Sequence, residues 1–134
     1  MTAADGYRLH EEEQLVARCG DGVREHFTTA RARTADWTAD EFEAARREVA
    51  ELDDRAVALL EDGATPGDPR VTALVADHHA SVSRHWTPDA VSCTGLGRWY
   101  VEDPAFRERF DARHPGLAVF WCDALAAWAT AHLA

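Results

Sequence analysis

The sequence predicts an all-α fold, and three observations carry that prediction. Apolar residues recur three and four apart over long stretches, as in Phe42, Ala45, Val49, Leu52, Ala56 and Leu59, which is the stripe of an amphipathic helix. Helix-start chemistry appears three times, at Thr38-Ala-Asp-Glu41, Asp68-Pro69 and Asp103-Pro104, where a capping side chain precedes either a carboxylate three residues on or a proline at the first helical position. No stretch alternates with period two for long enough to make a sheet strand, and no repeat of fixed period appears. The expectation is five main helices around a core of Leu, Val and Trp, preceded by short N-terminal helices.

Taken in order, residues 1–36 form a charged N-terminal segment and residues 37–134 the helical core. In the segment Leu15, Val16, Cys19, Val23 and Phe27 make a weak stripe that Gly20 and Gly22 interrupt, so one or two short helices are expected, loosely held and able to order over a ligand. Trp37 and Phe42 flank the Thr38–Glu41 capping box as a hydrophobic staple, a helix starts at residue 39, and Gly63 ends it. Ala64-Thr-Pro-Gly67 is turn chemistry. The next helix runs from Pro69 to about Trp86, with Val71, Leu74, Val75, His78, Val82 and His85 or Trp86 on its buried side. Pro88 forces a break. A short element spans about Asp89 to Val101, a helix of one to two turns begins at Pro104 with Phe106 and Phe110 on one side, and His114-Pro115-Gly116 stops it. Leu117, Phe120, Trp121, Ala124, Leu125 and Trp128 are apolar over a wide arc, which predicts a central last helix.

Composition narrows the function. A chain of 134 residues is one domain that buries roughly two-thirds of its unfolded surface without staples. Its net charge of −10 repels phosphate backbones, and no basic patch compensates, so nucleic acid is not an expected partner. Cys19, Cys93 and Cys122 are an odd set without C-x-x-C spacing, which argues for a reducing compartment, the cytoplasm. No run approaches the roughly 18–20 apolar residues of a membrane span, and the N-terminus carries no secretion pattern.

Chemistry concentrates between Arg84 and Phe106, where rings, a thiol and a histidine lie between two helix boundaries. His78, His79 and His85 are spaced one, six and seven apart, which is not the i,i+4 pairing that offers two ligands to one ion; His78 is expected in the core and His79 toward solvent, with no metal and no cofactor. Cys93 lacks the local signature of a nucleophile. Cys19 and Cys122 read as small buried hydrophobes. Trp121 and Trp128 read as core, whereas Trp86, Trp99 and Tyr100 sit beside helix ends, where a ring edge reaches a cleft.

Asp77-His78, Val82, Arg84, Leu96-Gly97, Tyr100-Val101, Asp103, Phe106 and Pro115-Gly-Leu-Ala118, with the Trp37–Phe42 start and the Gly63 stop, resemble the TipAS antibiotic-recognition family. That family is the ligand-binding domain that follows a MerR-type DNA-binding head in some multidrug-sensing activators. The resemblance runs over about residues 18–130. It implies a compact globin-like helical domain without haem, a deep cleft for thiopeptide or other large peptide-like antibiotics, and an N-terminal segment that orders on binding. Because the first 37 residues are too few and too acidic for the DNA-binding head, the expectation is a free-standing binder that sequesters drug. In thiopeptide-capturing members a cysteine just after the histidine-containing helix adds to a dehydroalanine of the drug. Here that position falls on Pro88 or Asp89, neither a nucleophile for the addition, which implies reversible binding.

The expected site is an aromatic cleft of His85, Trp86, Asp89, Cys93, Leu96, Trp99 and Tyr100 with Phe120 at its floor, where Asp89 and His85 orient polar groups of the ligand. Two alternatives stand beside this non-enzymatic reading. One is covalent capture or modification of the ligand through Cys93; the other is an interaction module that docks a protein partner or a second copy as a homodimer.

Overall fold

The computed structural model describes residues 22–133, and among them every regular element is a helix. These are α1 (Gly22–Arg33), α2 (Ala39–Glu61), α3 (Pro69–Ser83), α4 (Ala90–Glu102), α5 (Pro104–Arg113) and α6 (Leu117–His132). Leu15, Val16, Cys19 and Gly20 of the N-terminal stripe lie outside the described residues, and Phe27 lies on α1.

Local chemistry accounts for the boundaries. The Thr38 hydroxyl accepts from Glu41 N at 3.2 Å and the Glu41 carboxylate accepts from Thr38 N at 3.5 Å, while Trp37 meets Phe42 edge-on at 5.2 Å, so box and staple together set the start of α2. At its other end Gly63 takes φ +73°, and Gly63 N and Ala64 N donate to Leu60 O and Leu59 O, the paired bonds of a left-handed glycine stop. Helix α3 ends at Ser83, short of Trp86. His85 N and Trp86 N both return to Val82 O, so the chain tightens into a turn before Pro88, and His85 and Trp86 leave the stripe. Helix α5 reaches ten residues, longer than its expected one to two turns, because the Asp103 carboxylate caps Ala105 N and Arg107 pairs with Asp111 four residues on.

Helix α6 packs against α2, α3, α4 and α5 and is the axis of the fold, and α4 lies closest to it. The close approach is made at Gly97: a Cβ built there would stand 2.9 Å from Cys122 Cα. Leu74, Val75, Leu117, Trp121, Ala124 and Leu125 fill the centre and are almost fully buried. Trp121 Nε1 donates to Asp53 Oδ1 of α2 at 3.1 Å, which satisfies the one polar atom of a buried indole. Trp128 is half-buried and Cys122 is only partly enclosed. His79, expected in solvent, is half-buried: its ring meets Trp128 at 4.9 Å and its Nε2 lies 3.0 Å from Pro88 O. Helix α1 stands apart from this packing and is held through side chains. Arg33 Nη1 donates to Ser83 O at 2.6 Å and to Thr87 Oγ1 at 3.0 Å. No helix among the described residues is long and apolar enough to cross a membrane.

Candidate ligand-binding cleft

A hollow of about 970 Å³ opens between α1, the α3–α4 turn, α4 and the start of α5, the size of a pocket for a large organic ligand. Its walls are mostly apolar. Phe27 and Ala30 come from α1, Phe42 from the start of α2, Leu96 and Trp99 from α4, and Phe106 from α5. Ring contacts brace them: Trp99 on Phe106 at 4.4 Å, Trp37 on His85 at 5.2 Å, and His26 stacked on Trp86 at 4.2 Å.

The turn that presents Trp86 is fixed from both sides. Pro88 is buried with its carbonyl at His79 Nε2, and Asp89 caps α4 through a reciprocal pair in which Asp89 Oδ1 accepts from Ser92 N at 2.8 Å and Ser92 Oγ accepts from Asp89 N at 2.9 Å. The bond from the Ser92 backbone, then that from its hydroxyl, holds the Asp89 carboxyl below the usual range, so the cleft rim carries a fixed negative charge. Glu25, Arg31 and Arg98 add charge of both signs around the apolar walls.

Of the residues expected in the site, His85, Trp86, Asp89, Leu96 and Trp99 come together in this cleft. Cys93, Tyr100 and Phe120 do not line it. The reason is the helical repeat: Cys93, Gly97 and Tyr100, four and three apart, make the face of α4 that turns away from the cleft into the core. Cys93 is 1% exposed, its Sγ lies 3.9 Å from Leu125 O of α6, and burial pushes its thiol up to about 11. Tyr100 is buried with its hydroxyl 3.3 Å from His78 Nε2, beside a small inner hollow of about 80 Å³ shared with Asp53, Ser81 and Trp121. Phe120 is buried against Trp121.

The expected site left out the individual α1 residues of the wall, Phe42, and Phe106, although Phe106 is one of the rings of the Arg84–Phe106 stretch. A signal for the first was present: Phe27, Ala30, Arg31 and Thr34 follow the i, i+3, i+4, i+7 pattern of one helix face. Phe42 was absorbed by its role as a staple, and Phe106 by its place beside Phe110.

The sequence profile of the TipAS antibiotic-recognition domain matches residues 12–128. The HTH-type transcriptional regulator SkgA of Caulobacter vibrioides is 30% identical over 126 residues, 91% of this chain and 49% of that protein. The HTH-type transcriptional activator TipA of Streptomyces coelicolor is 30% identical over 122 residues, 90% of this chain and 47% of that protein. The chain thus spans about half the length of these regulators. Among solved structures, TipAS of Streptomyces lividans in complex with nosiheptide superposes with a TM-score of 0.80 at 29% identity, over 93% of this chain and 87% of that one. A ring-lined hollow in a bundle of this topology, and a family pattern that runs from residue 12 to residue 128, make this chain a member of the TipAS antibiotic-recognition domain family.

Proposed function

We propose that the chain binds a large, ring-rich, peptide-like antibiotic, of the thiopeptide class or of similar build, and sequesters it in this cleft without forming a bond. The observation that carries the reading is a hollow of about 970 Å³ walled by Phe27, Phe42, Trp86, Trp99 and Phe106. Each ring buried against a flat guest contributes on the order of 2–3 kcal/mol, so three or four such contacts outweigh the cost of ordering both partners. The solved relative holds nosiheptide, a guest of this class, in a domain of the same fold. In this reading residues 37–134 are the recognition core, and residues 1–36, to which α1 belongs, close over the guest.

Among the described residues, the thiols support reversible binding. Cys93 stands outside the cleft with its proton held on by burial, and the thiolate is the nucleophilic form. The position after the histidine-containing helix is Pro88 or Asp89. In this reading the role is capture rather than catalysis, in the cytoplasm, and the net charge of −10 disfavours a nucleic-acid partner.

A panel of peptide antibiotics that includes nosiheptide, followed by tryptophan fluorescence and thermal shift, is expected to give saturable binding by at least one member with unchanged intact mass. An adduct mass would overturn the reversible mode. Silence across the panel would overturn the reading itself.

A further inference from the structure

Among the described residues, the hydroxyls that line the cleft are committed to the protein itself. Thr34 Oγ1 donates to Ala30 O at 2.8 Å, Thr94 Oγ1 to Ala90 O at 3.0 Å, and Ser92 Oγ to Asp89 Oδ1 at 2.7 Å. Two indoles also line it. Trp86 is half-buried, and its nitrogen is not among the buried polar atoms that lack a partner. Trp99 is only 9% exposed, and its Nε1 has neither an acceptor nor contact with solvent. A buried N–H of this kind is rare because it gives up its bond to water without replacement. Trp121, the most buried indole, shows the ordinary solution in the same molecule, since its Nε1 reaches Asp53.

From this contrast we infer that Trp99 Nε1–H is the cleft's specificity-determining donor, and that the guest carries a hydrogen-bond acceptor, an amide carbonyl or an azole nitrogen, which it seats against that N–H. The inference rests on the antibiotic-binding reading and deepens it. Rings alone would accept any flat apolar guest, whereas a dry donor rewards a guest that brings an acceptor and penalises one that does not. Because the nitrogen is closed to water, the ring pair Trp99 and Phe106, 4.4 Å apart, has to shift slightly to admit the acceptor. The bond is therefore a property of the complex and not of the empty cleft.

The full chain labelled with ¹⁵N at its indoles, with Trp99→Phe used to assign the Trp99 signal, is titrated with nosiheptide. The expected result is saturable binding in which the Trp99 indole proton moves downfield by about 0.5 ppm or more, the mark of a new hydrogen bond. Replacement of Trp99 by β-(3-benzothienyl)alanine, which keeps the shape and puts sulfur in place of N–H, is expected to weaken binding about tenfold with a melting temperature no lower than that of the parent. If the Trp86 signal shifts saturably while that of Trp99 stays, and the sulfur isostere binds as well as the parent, the donor role is overturned and the cleft reading stands. If no indole signal moves, the thiopeptide reading falls and this inference falls with it.

Discussion

His78 sits between Tyr100 and Trp121 in the middle of the core, with ring centroids 6.3 Å and 4.7 Å away. Burial, reinforced by the neighbouring His79, lowers its imidazole from 6.5 to about 4, so the folded protein holds it neutral. Between those two values the unfolded chain binds more protons than the folded one. The stabilisation is therefore complete above pH 6.5 and is lost as pH falls toward 4, a change on the order of 3 kcal/mol. Melting curves of the parent and of His78→Gln, which keeps a partner for the Tyr100 hydroxyl but does not titrate, test this: the parent's melting temperature is expected to drop more steeply between pH 7 and 4.5. Asp53, pushed up mainly by burial, acts with the opposite sign, but it is present in both proteins and cancels in the comparison. Equal slopes would show that His78 is not the group responsible. That His78 belongs to the core was readable from its place in the Val71–Val82 stripe. Its bond to Tyr100, and with it the removal of Tyr100 from the cleft, was not, because a partner 22 residues away in sequence leaves no local pattern.

At the scale of the element, α4 shows how one helix serves two masters. Cys93, Gly97 and Tyr100 face the core, while Asp89, Leu96 and Trp99 face the cleft. The two sets interleave along α4 and its Asp89 cap, so a list drawn from the whole stretch mixes them, as the expected site did. Gly97 is the contact point of α4 with α6, and the atoms that a side chain would strike there, Cys122 Cα and O, are backbone and do not swing away. Gly97→Ala is therefore expected to destabilise the fold by about 1–3 kcal/mol through overpacking, against the gain of a few tenths up to about 1 kcal/mol that alanine normally brings inside a helix. Chemical denaturation reads the sign: a gain in stability would mean that α4 and α6 are free to move apart.

For the whole molecule, the cleft exists because α1 is laid against the turn between α3 and α4. Arg33 makes two of the bonds that hold it there, to Ser83 O and Thr87 Oγ1, and the stack of His26 on Trp86 adds a ring contact. Those bonds are exposed, so Arg33→Ala is expected to change the melting temperature by no more than a degree or two, yet to weaken capture of a cleft ligand severalfold as the α1 wall loosens. Thermal shift and fluorescence titration on the same variant separate the two effects. A large loss of stability with unchanged affinity would mean that α1 supports the core and not the cleft.

What the sequence determined by itself is the set of helices, the starts at Ala39, Pro69 and Pro104 and the Gly63 stop, since capping boxes, Asp-Pro starts, glycine stops and apolar stripes act within a few residues of one another. The family pattern, spread from Trp37 to Ala118, was legible for the same reason. Tertiary structure alone decided which rings meet across the hollow, because the cleft is closed by residues from α1, α2, α4 and α5 that only packing brings together. It also decided that Cys93 and Tyr100 face inward, since the direction of a helix face is fixed by the neighbour it packs against, here α6, and not by the helix's own sequence.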